Sequence, residues 1–391
     1  MDAQQDAPYG PGKRLLFIGI VVLLVLAFAE AGAFGAGKFL QRMYMMYVAP
    51  APVAGERTYA DYLKVRDPQL GWPFKADFGG ALDPSGARWS PAFRDPAQFP
   101  NSVALFGDSF AAGSEVDDDH SWGNQLALSL GKRVGIFGVP GYGTDQAYLR
   151  FLSMPDDPSS VVILTHLSGG IPRNITRNWD LFTRERHYAL KPRFVLDPRG
   201  ALQLIPIPTL SESEYLRSVG AESPFLAVEH ENFQPGGPAG NTLLTFPYSL
   251  AFLRNLGSYS VRSLVARRPD YGGFYEKGHP LAGLEITAAI LESFHAEAHK
   301  RGKWPIVLLL PTIHELKYFR RNGKWTYAPL AERLGEAKVN YIDFGPTLAK
   351  RLGDRELQAL YKPLGHYNEE ASKLLADTVL ETLRTRGAAL R

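Results

Sequence analysis

Hydrophobic residues follow two patterns along this chain. From Leu15 to Ala29 they form an unbroken run, LLFIGIVVLLVLAFA, and beyond Asn101 short apolar runs alternate with stretches of helical period. VALF (103–106), Arg133–Gly138, VVILTHL (161–167), Pro305–Leu310 and Asn340–Phe344 read as buried strands. Trp122–Leu130, 145–153, Glu285–Arg301 and Glu369–Thr385 read as helices. In the last of these, Leu374, Leu375, Val379, Leu380 and Leu383 share one face, and Asn368 is a suitable N-cap. Alternation of this kind predicts an α/β fold, a mostly parallel five-stranded sheet covered by helices on both faces. Residues 175–283 break the rhythm and read as an insertion that shapes substrate access, with 231–241 (ENFQPGGPAGN) expected to be a mobile loop.

The amino-terminal run follows Lys13-Arg14 and carries no charge. As a helix it rises only about 22 Å, but extended to Gly37 it reaches about 34 Å, enough to cross a hydrocarbon core of roughly 30 Å. That extension includes Glu30, which is tolerable near a helix end and costly near the middle. A transmembrane anchor over 15–37 is the favoured reading. A signal peptide cleaved near Ala27-Phe28-Ala29 and a buried core helix are the alternatives. Lys13 and Arg14 on one side nearly balance Lys38 and Arg42 on the other. The short 1–14 tail favours a cytoplasmic amino terminus and a periplasmic domain, on a bacterial inner membrane. Residues 38–58 read as a linker, 59–100 as an amino-terminal wrap, and 101–391 as the domain proper.

Composition narrows the chemistry. With 43 Lys and Arg against 40 Asp and Glu, the net charge of +3 is too small to argue for nucleic-acid binding. The absence of cysteine excludes disulfides, thiolate nucleophiles and Cys-ligated metals. His295 and His299 lie four apart on a helix, but two ligands in that order do not make a metal site, and no metal or cofactor is expected. Arg173, Arg177 and Arg184 read as surface charge that could meet an anionic polymer, and Asn174-Ile175-Thr176 is a glycosylation sequon by spelling only.

Three elements carry candidate chemistry. Gly107-Asp108-Ser109-Phe110 directly follows an apolar strand, and the carboxyl end of a parallel strand is where ligands meet an open α/β sheet. A serine hydroxyl there needs a base to become a nucleophile. The glycine-rich Gly138–Gly143 stretch also follows a strand, and lets backbone N–H groups approach a ligand as an oxyanion hole requires. Its glycine order is wrong for a dinucleotide fingerprint. Gly365-His366 stands just ahead of the final helix, where an imidazole can serve as general base.

In this order the three elements resemble the SGNH/GDSL hydrolase superfamily over roughly 101–386, with the insertion unmatched. VALFGDSFAAGSEV resembles its first block, GVPGYGTDQ its second and LGHYNEEASKLLADTVLETL its last. The resemblance implies a flavodoxin-like three-layer α/β/α fold, Ser109 as nucleophile with Asp108 beside it, His366 as base, and Gly141 in the oxyanion hole. It also implies an acyl-ester hydrolase or O-acyl (acetyl) transferase, for which membrane-anchored relatives suggest a cell-envelope polysaccharide substrate and a membrane-protein partner. Two departures stand out. The family's oxyanion asparagine has no counterpart in 166–174, so Ser168 or the Gly169 N–H would have to substitute, with Asn174 reaching in only if the loop folds back. The family's acid, three residues before the histidine, is here Pro363. That leaves a Ser–His dyad, a backbone carbonyl or a distant acid such as Asp343. The rival reading is a degenerate domain of this type that binds an envelope polymer or a protein without turnover.

Overall fold

The computed structural model describes residues 10–47, 58–72, 81–182, 190–219 and 228–385. Most of the expected linker and Arg184 lie outside them. The strands are β1 (Val103–Gly107), β2 (Val134–Gly138), β3 (Val161–Leu167), β4 (Arg193–Leu196), β5 (Leu202–Ile205), β6 (Trp304–Leu310) and β7 (Tyr341–Asp343). The helices used below are α1 (Pro11–Arg42), α2 (Ser109–Ala112), α3 (Trp122–Leu130), α4 (Thr144–Leu152), α5 (Tyr248–Leu256), α6 (Gly283–Lys300) and α7 (Glu369–Thr385).

Five strands pair in parallel in the order β2-β1-β3-β6-β7. Counted within the sheet this is 2-1-3-4-5, the doubly wound order in which ligands meet the sheet beyond the strand carboxyl ends, at the switch between β1 and β3. The strands are near-continuous apolar runs because both faces are covered. Alternation divides them between two cores. Ala104, Phe106, Phe137, Val162, Leu164, Val307 and Leu309 pack with α4, α6 and the helix Ala328–Glu336. Val103, Leu105, Ile136, Ile163, Ile306 and Leu308 face the other way, onto α3, the helix Gly345–Leu352 and α7. Asn368 caps α7 as its sequence position suggested, its Oδ1 accepting from the Ala371 N–H at 3.0 Å.

The described part of the insertion is built, not loose. It holds the antiparallel hairpin β4–β5, α5 and the helix Tyr259–Val265. The 231–241 segment, expected to be mobile, instead packs Phe233 and Ala239 into the first core. Its Glu231 carboxylate accepts from the backbone N–H groups of Arg177, Asn178 and Phe233 and from the Thr176 hydroxyl. Glycine and proline counts suggested a free loop because they report chain geometry and not the buried acid that organises it. The apolar amino-terminal run is a helix of 32 residues, longer than the 15–37 expected, and its most apolar stretch is unburied.

Candidate active site

Ser109 opens α2 at the carboxyl end of β1. Asp108 caps that helix, its Oδ1 accepting from the Phe110 N–H at 2.9 Å. The turn is tight because Gly138, at the end of β2, packs without a side chain against it; a Cβ there would lie 2.6 Å from the Asp108 carbonyl oxygen. Ser109 is 8% exposed.

His366 sits in a small loop closed by the bridge between Tyr361 and Tyr367 and by the Lys362 N–H donating to its own carbonyl at 2.7 Å. The Tyr367 hydroxyl anchors this loop to the Pro311 carbonyl beyond β6 at 2.8 Å. Phe110, the residue after Ser109, lies 5.0 Å between ring centres from the His366 imidazole and 4.9 Å from the Tyr367 ring. The histidine loop therefore packs on the serine turn.

The carboxylate that meets His366 is one that the sequence did not single out. Glu115 Oε2 lies 2.5 Å from His366 Nδ1 and accepts from the His366 backbone N–H at 3.1 Å, while Oε1 accepts from the Leu364 N–H at 2.9 Å. Of the options left open, the structure brings a distant acid to the imidazole, but it is Glu115 and not Asp343. Asp343 is occupied elsewhere, accepting from the Tyr327 hydroxyl at 2.7 Å and the Gly345 N–H at 2.9 Å. Burial works against the Glu115 charge, but the two N–H groups and the imidazole outweigh it, and its pKa falls below the usual carboxylate range. An ionised carboxylate only accepts, so Nδ1 carries the proton and Nε2 is left as the basic nitrogen.

Glu115 adopts φ +66°, a left-handed backbone that costs an L residue roughly 1–2 kcal/mol. What holds it there is Arg88, 2% exposed and contributed by the wrap. Its guanidinium donates to the carbonyls of Ala112, Gly113 and Val116 and to the Asp118 carboxylate, on both sides of Glu115. An acid six residues after the serine, in the same loop, was the available signal; its pairing with a residue 251 positions away was not.

The oxyanion candidates separate. Gly141 has φ +84°, and a Cβ on it would lie 3.4 Å from Trp72 and 3.5 Å from Trp179, so its backbone runs beneath two indoles. Those rings stand 6.4 Å apart between centres. Ser168 is 2% exposed; its Oγ accepts from the Thr312 N–H at 3.1 Å and its carbonyl from the Tyr275 hydroxyl at 2.8 Å. Gly169 packs against Thr312 and Tyr271. Asn174 does fold back, but its amide donates to the Thr287 hydroxyl at 2.8 Å. Arg173, read from sequence as surface charge, is instead at the serine turn. Its Nη1 donates to Asp108 Oδ2 at 3.0 Å and to the Tyr142 carbonyl at 3.1 Å, and its guanidinium lies 4.9 Å from the Trp179 ring centre. Arg177 is buried, donating to the carbonyls of Glu229 and Pro206. The loop behind Arg173 is pinned by the buried pair Lys191–Asp145, with Lys191 Nζ also donating to the Arg173 carbonyl at 2.9 Å.

A second histidine lies under the site. His166, 1% exposed, meets the Thr144 hydroxyl at 2.8 Å through Nδ1 and the Tyr275 hydroxyl at 2.7 Å through Nε2. Because Tyr275 donates onward to Ser168, it accepts from Nε2–H, which fixes the neutral tautomer. Burial, with the Arg173 charge adding to it, pushes the His166 pKa down to about 3. His295 spends its Nε2 lone pair on the Asn340 N–H at 3.2 Å.

No protein-family model matches the sequence, nor does any curated protein. Among solved structures, one described as a lipolytic protein of the G-D-S-L family from Desulfitobacterium hafniense DCB-2 is 13% identical, with a TM-score of 0.35, covering 72% of this chain and all of that one. A second is 16% identical with a TM-score of 0.37, over 73% of this chain and 97% of that one. Likenesses of this size carry no inference about this chain. The chain's own strand order and the serine turn at the end of β1, with His366 three residues ahead of the final helix, agree with the SGNH/GDSL-like fold that the sequence resemblance implies.

Proposed function

We propose that this chain is a serine acyl-ester enzyme of the SGNH type. The carrying observation is the Glu115–His366 pair, packed on the turn that bears Ser109. In this reading His366 Nε2 takes the Ser109 proton as Oγ attacks the ester carbonyl. The tetrahedral oxyanion meets the Ser109 and Gly141 N–H groups and the Arg173 charge, which stands in for the family's asparagine amide. Collapse releases the alcohol with the proton from His366 and leaves an acyl-serine. Water or a sugar hydroxyl, deprotonated by the same imidazole, then takes the acyl group and restores the serine.

Trp72 and Trp179 flanking Gly141 favour a sugar-bearing substrate over a long acyl chain, because flat indoles stack on pyranose faces. With α1 as a single-pass anchor and the domain on the periplasmic side, the substrate would be an acetylated cell-envelope polysaccharide. The occupied Asn174 amide and Ser168 hydroxyl favour the rival, a binding domain without turnover. Fluorophosphonate labelling decides between them. Labelling of the wild type and not of Ser109→Ala supports the enzyme, and equal labelling of both, or of neither, rejects it. Hydrolysis of p-nitrophenyl acetate against longer esters then tests the short-acyl preference.

A further inference from the structure

Glu30 is an acid inside an apolar helix, and the fold shows what it is for. Its carboxylate accepts from the backbone N–H groups of Tyr248 at 2.5 Å and Ser249 at 3.3 Å and from the Ser249 hydroxyl, at the first turn of α5. Phe34 packs on Tyr248 with ring centres 5.0 Å apart, and Gly37 lets Leu244 press against the α1 backbone. Farther along, Asn255 at the end of α5 donates to the Met45 carbonyl at 2.8 Å. The chain therefore descends along α1 from Leu244, turns at Phe246-Pro247 beside Glu30, and climbs back through α5 to the level of Met45.

This tip is apolar on the wrong side for a water-facing element. Ala251 and Asn255 point inward, while Phe246 is 73% exposed, Leu253 62%, Leu256 45% and Leu250 43%. Arg254 and Arg262 are exposed nearby. Depth follows from helix rise. Starting the hydrocarbon at Leu15, Glu30 lies about 22 Å along α1, some 8 Å short of the far boundary of a core roughly 30 Å thick. The apolar face of an interfacial helix reaches about that depth.

We infer that the tip from Leu244 to Leu256 is a second membrane element, immersed in the outer boundary of the bilayer that α1 spans, with acyl chains as the occupant of its exposed apolar face. The inference rests on the reading of α1 as a membrane span. Continuity with the unburied face of α1 selects lipid: Glu30 and Phe34, at about 22 and about 28 Å along the span, hold the tip against the helix within that thickness. Glu30 satisfies the first-turn N–H groups that lipid could not, and they in turn hold its carboxylate.

The chain has no cysteine, so single labels are clean. Full-length protein carrying Leu23→Cys, Phe246→Cys, Leu253→Cys or Glu336→Cys, each labelled with the fluorophore NBD, is placed in phosphatidylethanolamine/phosphatidylglycerol vesicles. Emission is then quenched with doxyl lipids or with aqueous iodide. Blue-shifted emission, loss of iodide quenching and quenching by doxyl lipids are expected at 246 and 253, with iodide quenching at 336 and deep-doxyl quenching at 23. Iodide quenching at 246 and 253 with 23 in lipid overturns the inference and leaves the span intact. Shielding of 246 and 253 from both quenchers means a protein covers the tip and also overturns it. Absence of lipid quenching at 23 overturns span and tip together. Adding Glu30→Ala should restore iodide quenching at 246 without moving 23; an unchanged 246 overturns the role given to Glu30.

Discussion

Two histidines lie near the carboxyl ends of the central strands, and their surroundings differ in every respect that matters for chemistry. His366 is partly exposed, faces an ionised carboxylate and packs on the serine turn. His166 is sealed, faces two neutral hydroxyls and feels the partly exposed Arg173 guanidinium, which opposes its charge. A base must gain a proton during turnover, and of the two imidazoles only His366 has a carboxylate at hand to meet that charge. The second trades ionisation for a rigid Thr144–His166–Tyr275–Ser168 chain that ties β3 to the insertion.

The contrast breaks most sharply at its reacting groups. Ser109→Ala or His366→Ala should lower kcat for p-nitrophenyl acetate by about 10⁴-fold or more while thermal unfolding stays near wild type. If Ser109→Ala keeps more than a small fraction of wild-type turnover, Ser109 is not the nucleophile; if His366→Ala does, His366 is not the base. Glu115→Gln should cost about 10²–10⁴-fold in kcat, since an amide can present the wrong partner to Nδ1. The same variant tests the charge. Because the Glu115 pKa is lowered on folding, its contribution to stability is present above the unfolded carboxylate pKa and is lost as pH falls through the folded one. The stability gap between wild type and Glu115→Gln, read by urea titration, should therefore be widest near neutrality and close toward acid.

Arg173→Ala should lower kcat by about 10²-fold, the worth of one oxyanion donor, with a smaller change in KM. A change confined to KM would make Arg173 a substrate-binding group. The smallest effect belongs to His166. With the ordinary imidazole near 6.5 and the folded value about 3, the unfolded chain binds the extra proton first on acidification, so stability falls below about pH 6.5. At pH 5 the loss amounts to about 2 kcal/mol. Nitrogen NMR of the imidazole at that pH should show the neutral Nε2–H tautomer.

The strands were legible because burial on both faces leaves them almost wholly apolar, and VVILTHL is β3 residue for residue. Ser109 and His366 were legible because each stands at an element boundary, one after a strand and one before a helix. Glu115 was not, since only the folded chain brings it to His366, and its left-handed backbone depends on an arginine from a region that reads as mere wrapping. Arg173 was misread for a related reason. Charge in a sequence suggests solvent, and nothing local reveals the Asp108 and Tyr142 oxygens that accept from it or the indole beneath it.

The Arg88 clamp bears on how the molecule can be cut. A fragment trimmed to start at the first strand would keep every group proposed to touch an ester and would still lose the brace across residues 112–118. Domain limits drawn from the sheet alone are too short by the span of that arginine, and the smallest competent piece of this protein has to begin upstream of it.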